Sequence, residues 1–258
     1  MNLSNLSQQE KYFLAKVSDA FQAADTKSYV RMIGFLDERQ QIMANTIARQ
    51  QHRNNFILFG GYNNANRKIL GIFPNYIDLT QEPNSLFDNI DSITFRYRSE
   101  DVLSHRDFLG ALMNLNITRD SIGDILVGKG ITVLFVMHTV TQIILDELFK
   151  VGRVGVQLEV GMPDVLPLEE HFFEIKDTVS SLRLDCIVST LTKLSREKST
   201  NLIEQGLVTQ NYECIQNNSH PVCEGDIISI RGYGKFIVAQ SGAVTKKGRI
   251  HVLCKKYL

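Results

Sequence analysis

Near the start of the chain, apolar residues recur at helical spacing. Phe13, Val17, Phe21 and Ala24 lie three or four apart behind Ser7-Gln8-Gln9-Glu10. A serine followed three residues later by glutamate is a capping box: the serine oxygen takes a free amide and the glutamate returns the bond. The spacing predicts a helix over 8–24. Asp37 and Glu38, at the positive end of a helix dipole, open a second helix with Ile42, Met43 and Ile47 on one face. Phe56-Ile-Leu-Phe59 and Lys68-Ile-Leu-Gly-Ile-Phe73 then read as two short strands around a loop, the second ended by Pro74. The loop's Gly60-Gly61 lacks the Lys-Ser/Thr that follows in a phosphate loop, so it is read as a turn.

The middle third repeats strand and helix periods. Ile93-Thr-Phe-Arg-Tyr-Arg98 alternates as a strand, and Ser104 caps a helix with Phe108, Leu109, Leu112 and Leu115. Ile122 to Val127 and Ile131 to Met137 are strand-like runs around the hairpin turn Gly128-Lys129-Gly130. Thr141 to Phe149 carries Ile144, Leu145, Leu148 and Phe149 at helical spacing, and Val154 to Val160 is again strand-like. Strand, helix, strand, strand, helix, strand is the split βαβ, ferredoxin-like order shared by RNA-recognition motifs. Such motifs stack bases on aromatics of their central strands, yet 131–136 offers only Phe135. With Ile93, Phe95 and Tyr97 toward the helices, Thr94, Arg96 and Arg98 are left on the open face. The module would then touch phosphate or protein rather than splayed bases.

From Gly161 to Ser181 the pattern lapses into Met162-Pro163, Pro167 and Glu169-Glu170, a linker in which Phe172-Phe173-Glu174-Ile175 has strand character. Leu184, Ile187, Val188 and Leu191 form one helical face; Ser195 caps a second helix, with Glu197 in its first turn and Gly206 at its left-handed end. Short strands and turns follow, through Ile227-Ile-Ser-Ile230 to Arg231-Gly-Tyr-Gly-Lys235-Phe236. The fold class is therefore α+β in three small modules: an N-terminal helical and short-strand domain over 1–80, a ferredoxin-like, RRM-like domain over 84–162, a linker over 163–181 and a C-terminal module over 182–258.

Charge sharpens this picture. The 258 residues carry no net charge, which by itself speaks against a nucleic-acid partner. The distribution reverses that inference: 182–258 holds 11 Lys+Arg and 6 Asp+Glu, a net of +5, and the rest a net of −5. A basic end on an acidic body points to an anionic partner for that end, with a solvated charged surface as the plainer alternative. Arg183 and Lys193 fall on the first C-terminal helix, Arg196 and Lys198 at the start of the second, and Arg231 and Lys235 beside glycines. A helix N-terminus adds free amides to positive charge, a physical basis for binding phosphate. Asn201, three residues after Lys198, would reach phosphate or a 2′-hydroxyl, and Ser195 shares that helix start. Cys186, Cys214, Cys223 and Cys254 have no C-x-x-C spacing and the histidines are spread singly, so neither a metal site nor a cofactor is expected. No run reaches the ~18 apolar residues of a membrane span and Met1 to Glu10 is no secretory signal. A soluble, cytoplasmic protein without a membrane partner is expected.

Arg183-Leu-Asp185, Leu194-Ser195-Arg196, Leu202-Ile203-Glu-Gln-Gly206-Leu-Val208, Asn211 and Gly225-Asp226-Ile-Ile-Ser-Ile-Arg231-Gly-Tyr-Gly-Lys235-Phe together resemble the S4-type RNA-binding domain, which docks on structured RNA. Tyr212 departs from the pattern, where many such domains place glycine, and this leaves the turn type open. Phe59-Gly-Gly-Tyr62 with Arg67, His105-Arg-Asp-Phe-Leu-Gly-Ala-Leu-Met113, Arg119-Asp-Ser-Ile-Gly-Asp124-Ile and the closing Lys246-Lys-Gly-Arg249 extend the resemblance to the YlmH family over nearly the whole chain. That resemblance implies a bacterial cytoplasmic protein that binds rRNA and tRNA on the large ribosomal subunit, in rescue of stalled, peptidyl-tRNA-carrying subunits, with a link to cell division. The ribosomal expectations rest on the resemblance alone.

An RNA-modifying enzyme is the rival reading, because pseudouridine synthases also carry S4-type domains. Arg183-Leu184-Asp185 supplies a synthase's letters, but no glycine follows in 186–190, so Asp185 is expected to cap or to pair with a cation. His105-Arg106-Asp107 shares three letters with a kinase catalytic loop and is read as the start of a helix. With no nucleophile–base pair or nucleotide loop, binding rather than catalysis is expected. The acidic N-terminal two-thirds is a candidate surface for a protein partner, as an adaptor would need.

Overall fold

The computed structural model describes residues 6–79, 88–168 and 172–257, which fall into two compact units, Met1–Glu169 and Glu170–Leu258.

In the first unit, helix α1 (Gln8–Lys27) starts on the predicted box: the Ser7 hydroxyl accepts from the Glu10 amide at 3.2 Å, and the Glu10 carboxylate accepts from the Ser7 amide at 2.9 Å. Helix α2 (Glu38–Gln50) is opened by Asp37, whose carboxylate accepts from the Gln40 amide at 2.8 Å. Its buried face is Met43, Ala44 and Ala48, with Ile47 packed at the margin. Strand β1 (Arg31–Leu36), between the two helices, was not expected. Ile33, Gly34, Phe35 and Leu36 are buried in succession, and a strand covered on both faces shows no polar alternation. It pairs antiparallel with β3 (Lys68–Ile72), which also pairs with β2 (Phe56–Phe59), giving the order β1-β3-β2.

The central elements are β4 (Ile90–Arg96), α3 (His105–Asn114), β5 (Ile122–Gly128), β6 (Ile131–Met137), α4 (His138–Glu147), the small hairpin of β7 (Lys150–Val151) and β8 (Val154–Gly155), and β9 (Gln157–Val160). Their sheet runs β5-β6-β4-β9, antiparallel throughout. The first and third strands of the motif lie in the middle, as ferredoxin-like order requires. His105-Arg106-Asp107 does begin a helix: the Asp107 carboxylate accepts from the Ser104 amide at 2.8 Å. Helix α4 starts three residues before the expected Thr141. There the Asp91 carboxylate accepts from the Thr141 hydroxyl at 2.6 Å and lies 2.8 Å from His138 Nδ1.

Ile93 and Phe95 face the helices, packed with Phe108, Leu112 and Ile144, and Tyr97 joins that core. The opposite face is not open over β6. Val133 and Phe135 pack against Phe35, Ile69 and Phe73 of the N-terminal sheet, and Tyr62 stacks on Phe135 with ring centroids 4.8 Å apart. The far side of that N-terminal sheet carries α1 and α2. The unit is thus four layers: helices, sheet, sheet, helices. Close approach of the two sheets depends on small residues: a Cβ at Gly61 would sit 2.4 Å from the Phe135 ring, and Gly61 has φ +95°.

A buried ionic cluster ties the layers. The Asp124 carboxylate accepts from the Tyr62 hydroxyl (2.8 Å) and from the amides of Asn66 (2.6 Å) and Arg67 (3.1 Å). The Arg67 guanidinium donates to the carbonyls of Ile122, Phe35 and Arg119. Burial, with the charge of Arg67 nearby, pushes the Arg119 guanidinium down to about 10.

The second unit holds β10 (Phe172–Val179), α5 (Leu184–Thr192), α6 (Arg196–Glu204), β11 (Val208–Gln210), β12 (Glu213–Cys214), β13 (Ile227–Ile230), β14 (Gly234–Val244) and β15 (Ile250–Tyr257). Its antiparallel sheet has the order β10-β15-β14-β13-β11-β12. Leu184, Ile187, Val188 and Leu191, the face read from the sequence, are buried against Ile228, Ile230, Phe236, Val238 and Cys254. Each such side chain contributes ~1.5–3 kcal/mol when fully buried. Part of the stretch read as linker is strand: β10 pairs with β15 from Phe172↔Tyr257 to Val179↔Ile250, and Val179 enters the core.

The packing of Phe135 generates a prediction. Phe135→Leu is expected to lower the stability of the first unit by about 1–2 kcal/mol in urea unfolding followed by tyrosine fluorescence, while affinity for structured RNA stays within about twofold. A selective loss of RNA affinity with stability unchanged would make Phe135 a base-stacking residue after all.

Candidate nucleic-acid interface

Five of the eight residues singled out in the sequence gather where α5 and α6 begin. Arg183 is the N-cap of α5 and reaches one turn in, Nε lying 3.1 Å from Asp185 Oδ1. Arg196, the first residue of α6, donates to Asp185 Oδ2 at 2.5 Å. Asp185 is buried, with 4% of its surface exposed, so one carboxylate holds both guanidinium groups while more than two-fifths of each arginine side chain remains in solvent. Burial works to raise the Asp185 pKa, but hydrogen bonds and charge from Arg196 and Arg183 outweigh it and the net shift is downward. The expected pairing role of Asp185 is what the structure contains.

Ser195 caps α6, its hydroxyl accepting from the Lys198 amide at 3.3 Å. That leaves the Lys198 and Asn201 side chains exposed one turn apart. Among the described residues no carboxylate lies within ion-pair distance of Lys198 or Arg231. The helix ends as predicted: Gly206 is left-handed at φ +70°, and the amides of Leu207 and Gly206 bond the carbonyls of Leu202 and Ile203. This pairing is a Schellman motif.

The other three residues have separate surroundings. Lys193 ends α5 in a left-handed conformation, its Nζ 3.0 Å from Asp177 on β10. Arg231 is exposed in the turn between β13 and β14, where Gly232 and Gly234 take positive φ. Lys235 lies on β14 beside the inward-facing Phe236, so it points away from the core. Its Nζ is 5.0 Å from the Tyr212 ring centroid and 5.3 Å from that of Tyr257. Asn211 and Tyr212 both have positive φ, +49° and +65°, so the β11–β12 turn is of type I′ and keeps the backbone that glycine would favour. The departure at Tyr212 therefore changes the side chain presented and not the turn.

Lys255 on β15, its Nζ 5.4 Å from the Phe172 ring centroid, and Lys256 were not anticipated. The run Ile250-His-Val-Leu-Cys-Lys-Lys-Tyr257 carried a strand signal in its β-branched and apolar residues. The four cysteines are free thiols, and burial pushes Cys254 up to about 11. Among the described residues no three His, Cys, Asp or Glu side chains come together as metal ligands, and no helix is long and apolar enough to cross a membrane.

Comparison with known proteins places these elements. Residues 90–162 match the model described as "Putative RNA-binding domain in YlmH", and residues 182–228, from α5 into β13, match the S4 domain. The chain is 31% identical over 246 residues to "Ribosome-associated protein quality control protein P2" of Bacillus subtilis (strain 168), covering 94% of this chain and 93% of that protein. Among solved structures it is similar to "Cell division protein ylmH from Streptococcus pneumoniae", with a TM-score of 0.50 and 21% identity over 63% of this chain and 96% of that one. That last likeness speaks to the fold alone.

The lowered pKa of Asp185 has a measurable consequence. A depressed carboxylate stabilises the fold fully above its ordinary value of 3.8, and the stabilisation is lost as pH falls through the lowered folded-state value. Asp185→Asn is expected to cost about 1–3 kcal/mol at neutral pH. In denaturant titrations of the full chain, the gap between wild type and variant should narrow steadily below about pH 4. A gap of constant size down to about pH 2 would mean that the charge of Asp185 does not hold the two arginines.

Proposed function

Because the chain belongs to the YlmH family, we propose that it is an RNA-binding protein that docks on structured rRNA or tRNA of the large ribosomal subunit, in rescue or quality control of stalled subunits that still hold a peptidyl-tRNA. The observation that carries this reading is the start of α6. There Arg183, Arg196 and Lys198 stand in solvent beside free helix amides, with the two arginines fixed by Asp185. Such a surface suits phosphates held in a preformed RNA shape, because phosphate contacts position a protein without reading sequence. The name of the Bacillus subtilis relative supports the ribosomal setting.

The protein acts in the cytoplasm, by binding and without chemistry. In support, both oxygens of Asp185, the residue a pseudouridine-synthase-like mechanism would need, are engaged by arginines. Ser195, Lys193, Asn201, Arg231 and Lys235 extend the contact surface. The acidic body, at net −5 over 1–181, offers its surface to a protein partner; a cell-division adaptor role would use that surface.

Arg196→Glu with Lys198→Glu is expected to weaken binding of the full chain to structured RNA by at least about tenfold and to flatten its salt dependence. The wild-type log–log slope should be roughly −0.7 to −0.9 per phosphate neutralised. The same reversal at Arg96 and Arg98, which already face Glu159 at 3.6 Å and Asp101 at 3.2 Å, should change binding little. Equal losses would place RNA on the central module instead. In gradients run under conditions that stall translation, tagged wild type is expected to sediment with free large subunits and the Arg196→Glu, Lys198→Glu variant to stay near the top. Wild type at the top, or a variant that co-migrates equally well, would overturn the ribosomal assignment.

A further inference from the structure

Beside the α5–α6 surface, the second unit has a groove of about 410 Å³ between the C-terminal end of α5 and the edge strand β10. Its apolar lining is Ile175, Leu191 and Phe236, with Tyr233 from the turn before β14. Phe173 stands at its rim with 60% of its surface in water. Register explains why these groups meet: Phe173 pairs with Lys256, and Lys256 with Phe236, so the three side chains lie in a row on one face of the sheet. Gly234 keeps the row flat, since a Cβ there would lie 3.0 Å from Lys256 Cε.

The rim is cationic. Lys193 and Lys256 supply the charge; Glu174 and Lys176 alternate with Phe173 and Ile175 along β10, so their side chains lie on the opposite face of the sheet. Lys193 rests on Asp177 at 3.0 Å, but this pair is exposed and such pairs hold weakly. Lys256 has no carboxylate within ion-pair distance among the described residues. Phe173 and Lys256 lie outside the 182–228 match while Leu191 and Lys193 lie inside it, so the groove is formed jointly by the S4-type module and the strands that flank it.

An exposed aromatic ring beside two lysines is the combination that holds an unpaired nucleotide, the ring taking the base face and the ammonium groups its phosphate. We propose that this groove receives one unpaired nucleotide of the RNA docked on the α5–α6 surface, stacked on Phe173 with its phosphate at Lys256 and Lys193. The inference rests on the RNA-binding reading above. A protein partner's apolar side chain would fill the same volume but would leave the excess of positive charge unmatched.

The test uses the full chain and two hairpin RNAs of the same stem, one fully paired and one with a single-nucleotide bulge carrying 2-aminopurine. Wild type is expected to bind both, the bulged hairpin about tenfold more tightly, with 2-aminopurine emission quenched at saturation. Phe173→Ala should remove the tenfold preference and the quenching while leaving the paired hairpin's affinity unchanged, and Phe173→Tyr should retain both. Lys256→Gln should weaken the bulged hairpin selectively. Equal affinity for the two hairpins, or a preference that survives in Phe173→Ala, overturns the groove and leaves the α5–α6 surface standing. Tight binding of the bulged hairpin without quenching overturns it too, and leaves the groove to a protein side chain. Failure to bind either hairpin sinks the RNA-binding reading and this inference with it.

Discussion

The Asp185 carboxylate accepts from Arg183, which precedes α5, and from Arg196, which opens α6, so a single buried anion fixes the angle at which the two helices present their cations. Without it, two guanidinium groups on adjacent helix starts would repel each other and swing freely on long stems, at an entropic cost to any partner that had to order them. With it, their positions are set before RNA arrives. The carboxylate is buried and the guanidinium groups are not, so the pair is neutralised on the inside and still positive toward solvent. Capping by Ser195 completes the arrangement. It ties up the Lys198 amide, fixes the first turn of α6 and leaves the other free amides of that turn directed outward.

The central module shows how one topology serves another end. Its strand order is that of an RNA-recognition motif, yet Val133 and Phe135 on the face away from the helices are spent on packing against the N-terminal sheet. Burying Phe135 under Tyr62 excludes stacking of a base on it. The Tyr62, Arg67, Arg119 and Asp124 residues of the motifs that suggested a family are the ones that lock the two sheets together. They are structural ties, and the burial that lowers the Arg119 pKa is the cost of putting charge there.

Sequence patterning was most legible where one face of an element meets water. The capping box at Ser7, the acidic helix start at Asp37, the βαββαβ order and the buried face Leu184, Ile187, Val188 and Leu191 all carry local signals that solvent enforces. Patterning failed where burial is two-sided or pairing is distant. Strand β1 has four buried residues in a row. In β6, Ile131-Thr-Val-Leu-Phe-Val-Met137 is apolar on both faces, which was a sign that a second layer covers it. Strand β10 finds its partner β15 some 70 residues on; its first half, Phe172 to Ile175, carried strand character, while its continuation through Val179 read as linker. The site divides in the same way. Residues on helix starts were recognisable from local signals, whereas Phe173 and Lys256 meet only through cross-strand register.

Tyr212 joins these scales of organisation. A side chain at φ +65° costs backbone strain that glycine avoids, and the turn offsets it locally through its neighbours. The Asn211 amide donates to the Ile227 carbonyl at 2.8 Å and its side chain donates to Asp226 Oδ1 at 2.7 Å. Asp226 in turn accepts from Gln210 and from the Cys223 amide. With the backbone held by that network, the Tyr212 ring is free to sit against Lys235, which also lies against Tyr257 of the last strand. The lysine thereby links a turn inside the S4 match to a strand beyond it. Two tyrosine faces flank its ammonium group. The outward face of the C-terminal sheet, like the α5–α6 junction, thus holds its cations in set positions, and order fixed beforehand lowers the entropic cost of binding an anionic partner.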